Sequence, residues 1–198
     1  MSSPDAGGAP LWVRMLTVTT ADQTHALGAA LAEVLRAGDL LVLTGELGAG
    51  KTTFTQGLGE GLGVREGIIS PTFVLVRIHP NLPDGPRPGG PDLVHVDAYR
   101  LGSASEIDDI DLENTLDSAV TVVEWGRDRV EHLSDSRLEV ELHRQLGGQP
   151  GGTAAAHQTA NGALDFESED DDEPRTIIIR GFGPRWAEQP VLAAEGIA

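Results

Sequence analysis

Cysteine is absent, so neither a disulfide framework nor a thiolate metal site can be built from this chain. Lysine is nearly absent too: Lys51 is the single lysine among 14 basic residues, and every other one is arginine. Positive charge is short overall, with 14 Lys and Arg against 31 Asp and Glu and a net charge of −17. Seven acids crowd into DFESEDDDE at 165–173, and without them the chain still stands at −10. A face that grips a phosphate backbone directly needs clustered Lys and Arg, and no such cluster exists here. If nucleic acid is part of this protein's work, a partner holds it. No apolar run reaches the length of a membrane span. MSSPDAGGAP lacks a basic region followed by an apolar stretch, so no secretory signal is read, and residues 1–10 are expected to be a disordered lead-in. These absences fit a cytoplasmic protein.

The 198 residues, 39% hydrophobic and 23% charged, suffice for one domain with a sizeable core. Leu11–Thr19 alternates weakly and reads as a first strand. Thr20 or Asp22 can cap a helix carrying Leu27, Leu31, Val34 and Leu35 at helical spacing and stopping at Gly38. Leu40–Leu43 reads as a strand buried on both faces. A glycine-rich loop leads from it into a helix over about Lys51–Leu62, although glycines at 57, 59, 61 and 63 are poor helix formers and leave its far end open. Further strands are expected over 72–79, 93–97, 119–125 and 137–142, with a helix or turn over Ser105–Leu116 and a turn or insertion over 81–92. Residues 147–174 are low-complexity and acidic, an insertion expected to be disordered. A returning strand follows over 175–183, then a tail over 184–198. The expected fold is α/β: a single P-loop NTPase-like domain over 11–146, completed by 175–183, with a mixed parallel and antiparallel sheet and flanking helices. Its antiparallel part is assigned to the C-terminal half.

The lone lysine lies in GELGAGKT, Gly45–Thr52, which satisfies G-x-x-x-x-G-K-[ST]. A strand must turn sharply into a helix there and wrap a phosphate chain. Glycines let the backbone approach the anion and adopt positive φ. The N–H groups of Gly48, Ala49, Gly50 and Lys51 are expected to face the phosphates, helped by the helix N-terminus. Lys51 supplies a compact ammonium for the β and γ phosphates, which a planar guanidinium does not replace. Thr52 offers a hydroxyl to Mg²⁺, and Thr53 is placed for the α phosphate. Such a loop needs a further acid at a neighbouring strand end. Asp97 and Glu124 are the two candidates, and either could hold Mg²⁺ or orient the attacking water. Guanine recognition through Asn-Lys-x-Asp would need a second lysine, so ATP is favoured over GTP.

Four elements in order, GELGAGKTTF (45–54), SPTF (70–73), HVDAYRL (95–101) and VEW (123–125), resemble the tRNA threonylcarbamoyladenosine biosynthesis ATPase family (TsaE, formerly YjeE). The resemblance spans about Thr19–Leu142 and the strand at Thr176. It implies a small ATPase required for threonylcarbamoyladenosine modification of tRNA next to the anticodon. Its implied partners are the tRNA threonylcarbamoyl transferase and that enzyme's partner subunit, with tRNA met only through the complex and no membrane involved. The ATPase does not transfer the group itself. Carried onto this chain, the resemblance implies that Gly48–Thr53 bind ATP, that Thr52 and Glu124 bind Mg²⁺, and that Lys51, Asp97 and Glu124 are catalytic. Trp125 would lie beside the site, Ser70–Phe73 would sense the γ phosphate, and Arg175 is the candidate arginine contacting nucleotide.

Two other functions share the P-loop. A small-molecule kinase would need an acceptor pocket and an arginine-bearing lid, whereas the segment after the core is acidic. A nucleotide-dependent switch that does not hydrolyse would have little use for Asp97 and Glu124. His95, in mid-strand, is read as structural, and Trp125 is open to a core reading as well as to a site or interface role.

Overall fold

The computed structural model describes residues 8–71, 74–101, 112–145 and 174–193. The start of the lead-in, Thr72 and Phe73, the Ser105 cap, the acidic insertion up to residue 173 and the last five residues lie outside them. In chain order the elements are β1 (Trp12–Val18), α1 (Ala21–Ala32), β2 (Leu40–Gly45), α2 (Lys51–Leu62), β3 (Val76–His79), β4 (Asp92–Asp97), α3 (Glu113–Leu116), β5 (Ala119–Glu124), β6 (Arg137–Arg144) and β7 (Arg175–Phe182). Short 3₁₀ turns cover Glu131–Leu133 and Pro184–Trp186.

The strands form one sheet in the order β1-β7-β6-β2-β5-β4-β3. Its centre, β6-β2-β5-β4, is parallel. Antiparallel pairs occupy both edges: β7 with β6 and β1 on one side, β3 with β4 on the other. The C-terminal half therefore supplies only part of the antiparallel pairing, and β6 itself runs parallel to β2. The mixed α/β architecture expected from the sequence is present.

Alternation along the central strands splits the core in two. Leu41, Leu43, Val120, Val122, Val140 and Ile177 pack against Leu27 and Leu31 of α1 and Phe54 and Leu58 of α2. Leu40, Val42, Val94, Val96 and Val123 face the other way, toward Leu112 and Val130. Each fully buried leucine removes enough apolar area from water to contribute about 1.5–3 kcal/mol.

Thr20 caps α1, its side chain accepting the Gln23 N–H at 3.1 Å. Helix α2 keeps Gly57 and Gly61 because α1 lies against it. A Cβ on Gly57 would fall on the His25 carbonyl, and one on Gly28 on the Phe54 carbonyl. The two backbones touch only because both positions lack side chains, so a helix with weak intrinsic propensity is held by packing. The strand expected from residue 72 begins at Val76. Val74 and Leu75 both donate to the Pro71 carbonyl, and Leu75 takes φ 66, which puts those two residues in a turn.

Segment 81–92 is tied down. The Asn81 side-chain amide donates to the carbonyls of Leu62 and Arg87, and Arg87 donates to those of Ala32 and Leu35. One segment thus satisfies the C-terminal carbonyls of both helices. The tail also joins the domain as far as Leu192. Trp186 is 1% exposed, Leu192 2%, and Arg185 pairs with both oxygens of Asp39 at 3.0 and 3.1 Å.

Candidate functional site

At the carboxyl end of β2 the chain leaves Gly45, crosses the loop and enters α2 at Lys51. Gly50 is the N-cap at φ 99, where a side chain would be strained, and no side chain caps the helix. The first helical bond runs from the Phe54 N–H to the Gly50 carbonyl, so the preceding N–H groups of the first turn have no intrahelical partner. An uncapped helix N-terminus opening on a cleft attracts an anion.

That cleft has a volume of about 370 Å³. Gly48, Gly50, Lys51, Thr52, Thr53, Asp97, Glu124 and Arg175 all line it, with Ser70 and Trp125. Ala49 does not. Its side chain is fully buried in the core, and its N–H turns onto the Glu46 carbonyl at 3.1 Å, closing the loop. Arg100 is exposed and absent from the lining.

Lys51 is 7% exposed. Its ammonium donates to the carbonyls of Gly45 at 2.8 Å and Glu46 at 3.1 Å and lies over the Trp125 ring. Burial lowers its pKa, against the opposing charges of Glu124, Asp97 and Glu46. Those three acids keep a positive charge favourable in a place where desolvation works against it.

Asp97 and Glu124 end adjacent parallel strands and are register partners. Each is 3% exposed. Asp97 Oδ1 accepts the Tyr99 N–H at 2.9 Å, and Glu124 Oε1 meets His95 Nε2 at 2.8 Å. His95, read as structural, therefore touches a site residue. Its place two positions before Asp97 was the available signal, because residues i and i+2 share a face of a strand. Trp125 follows Glu124 at φ 61, a conformation uncommon for a bulky residue, and its ring makes an edge contact with Tyr99.

Arg175 opens β7 and faces Arg144, the last residue of β6, across the register. Arg144 lies beside Gly48, and its N–H donates to Glu46 Oε1 at 3.1 Å, which anchors the loop to β6. No sequence motif marked Arg144.

The donors suit a hard cation: the Thr52 hydroxyl and two carboxylates, all oxygen. Among the described residues no group of three or more His, Cys, Asp and Glu could hold a metal. A cation in this cleft would need further oxygens from a ligand, and Mg²⁺ commonly combines one or two carboxylates with phosphate oxygens. The residues present fit that group. Among the described residues no helix is long and apolar enough to cross a membrane.

Residues 18–149 match the model of the family described as threonylcarbamoyl adenosine biosynthesis protein TsaE. A Streptomyces coelicolor protein named tRNA threonylcarbamoyladenosine biosynthesis protein TsaE is 48% identical over 171 residues, 86% of this chain and 98% of that one. Proteins of the same name from Mycobacterium bovis and Bacillus subtilis are 47% and 38% identical, over 65% and 62% of this chain and 77% and 73% of their own. The crystal structure of Bacillus subtilis YdiB superposes with a TM-score of 0.59 at 26% identity, covering 88% of this chain and 89% of that one.

Proposed function

Because this chain belongs to the TsaE family, which works in tRNA threonylcarbamoyladenosine biosynthesis, we propose that it binds and hydrolyses Mg²⁺·ATP as a partner-activated subunit of that pathway. The observation that carries the proposal is the convergence of Lys51, Asp97 and Glu124 on one cleft at an uncapped helix N-terminus. Gly48 and Gly50–Thr53 cradle the triphosphate, and Arg175 reaches it from β7. Lys51 exchanges the Gly45 and Glu46 carbonyls for phosphate oxygens, which compensate its desolvation better than neutral carbonyls do. Thr52 and Glu124 hold Mg²⁺, which when bound neutralises charge on the β and γ oxygens. Asp97 keeps Oδ2 without a hydrogen bond among the described residues, so that atom is placed to accept a proton from a water molecule. Buried carboxylates of this kind orient water without exposing it to bulk solvent.

The partners are the threonylcarbamoyl transferase and its companion subunit, in the cytoplasm. A net charge of −17 suits a subunit that meets tRNA only through them. The deciding experiment measures ATP hydrolysis with Mg²⁺, alone and with the transferase complex, using Lys51→Ala as the blank. Stimulation by the complex that is lost in the variant supports the proposal. Rapid hydrolysis without partners, or none with them, overturns it.

A further inference from the structure

We propose that His95 is the positioning residue of Glu124: its Nε2–H donates to Oε1, holding the carboxylate off Lys51 and reserving the second oxygen for the cation. This rests on the assignment of Glu124 to Mg²⁺ made above.

The two side chains are 0% and 4% exposed, and their polar atoms lie 2.8 Å apart. His95 Nδ1 is buried with no partner. A neutral imidazole carries one N–H, so two tautomers compete. With the proton on Nδ1, a buried donor would go unpaired while two lone pairs, Nε2 and Oε1, confronted each other. With the proton on Nε2, a charge-assisted hydrogen bond forms and only an acceptor is left unmade. The second arrangement wins on both counts.

Lys51 explains why such a bond matters. Glu124 is the largest of the opposing charges acting on its ammonium, yet Lys51 donates to two backbone carbonyls, and among the described residues it makes no salt bridge. A carboxylate free to swing would close onto the lysine, and the phosphate ligand and the metal ligand would neutralise each other. His95 holds Glu124 by one oxygen, and the other carries no hydrogen bond among the described residues. Outer partners of this kind typically change metal affinity by about 10–100-fold when removed.

Two measurements on the full chain test this. The first is the tautomer of His95 in the unsubstituted protein, read by two-bond ¹H–¹⁵N correlation after ¹⁵N-histidine labelling, with the signal assigned through its loss in His95→Gln. An Nε2–H tautomer is expected, and an Nδ1–H tautomer overturns the proposal whatever any variant does. The second is Mn²⁺ affinity by electron paramagnetic resonance in the presence of a non-hydrolysable ATP analogue. His95→Leu should weaken it about 10–100-fold, with metal-free nucleotide affinity unchanged. His95→Gln, which keeps an N–H donor, should restore it to within about threefold. Equal Mn²⁺ affinity in His95→Leu and the unsubstituted protein overturns the role of His95 alone. No Mn²⁺ binding by the unsubstituted protein overturns the metal assignment of Glu124, and the role of His95 with it. Should His95→Leu fail to fold, the tautomer and the His95→Gln affinity still decide.

Discussion

The Lys51 ammonium lies 4.4 Å from the centroid of the Trp125 ring while it donates to two loop carbonyls. Aromatic face and carbonyl oxygens together form a socket shaped for a compact cation. Lys51→Arg should therefore fail like Lys51→Ala, because a planar guanidinium has no room to turn between ring and loop. Hydrolysis stimulated by the transferase complex should fall at least about 100-fold in both variants. Comparable turnover in Lys51→Arg would show that charge alone suffices.

Arg175 lines the cleft from a strand that follows the acidic insertion. Arg175→Ala should weaken binding of ATP and ADP about tenfold, the worth of one charge-assisted hydrogen bond. Titration calorimetry reads this, and unchanged affinity would remove Arg175 from the nucleotide site.

Gly57→Ala sets two effects against each other. Helix propensity alone favours alanine by about 1 kcal/mol. Against that, the new methyl would meet the His25 carbonyl, a backbone atom that cannot step aside without moving α1. Overpacking should win, with a net loss of about 1–3 kcal/mol in urea unfolding. A gain in stability would mean that the helices part easily.

Glu141 sits on β6 in contact with Arg180 at 2.6 Å, Arg127 at 3.0 Å and His143 at 3.0 Å. Burial raises its pKa, but hydrogen bonds from Arg127 and Arg180 outweigh it and hold the carboxyl at about 2, against an ordinary 4.5. The folded state thus binds the proton less readily than the unfolded chain. The stability this adds is fully present above pH 4.5 and is lost as pH falls toward about 2. Because Arg127 is 37% exposed, solvent screening limits the contribution to about 1–2 kcal/mol. Glu141→Gln should lose that much at neutral pH and show a flatter acid limb in denaturant unfolding. An unchanged limb would assign acid sensitivity to other carboxylates.

The parts of this molecule readable from sequence are those where one local rule dominates. The loop at Gly45–Thr52 announces itself because phosphate binding needs glycines and lysine in fixed order, and the helix it opens follows directly. Buried parallel strands read as apolar runs, so strands are legible at Leu40–Leu43 and 119–125, the second ending in the fold at Glu124. What stayed illegible depends on distant partners. Nothing local says that Arg87 secures the end of α1 or that Arg185 pairs with Asp39 across the fold. The left-handed turn at Leu75 shortens the strand expected over 72–79. His95 looked structural because its significance lies on the next strand, at Glu124.

The place of β7 between β1 and β6 carries a consequence for synthesis. Among the described strands β1 pairs only with β7, which is made after all the others, through Trp12↔Gly181 to Val18↔Arg175. Until the ribosome has passed residue 182, β1 has no neighbour in the sheet among the described strands and the cleft has no Arg175. A nascent chain released before β7 would hold the loop at Gly45–Thr52 inside an unfinished sheet, so assembly of the cleft is coupled to synthesis of β7.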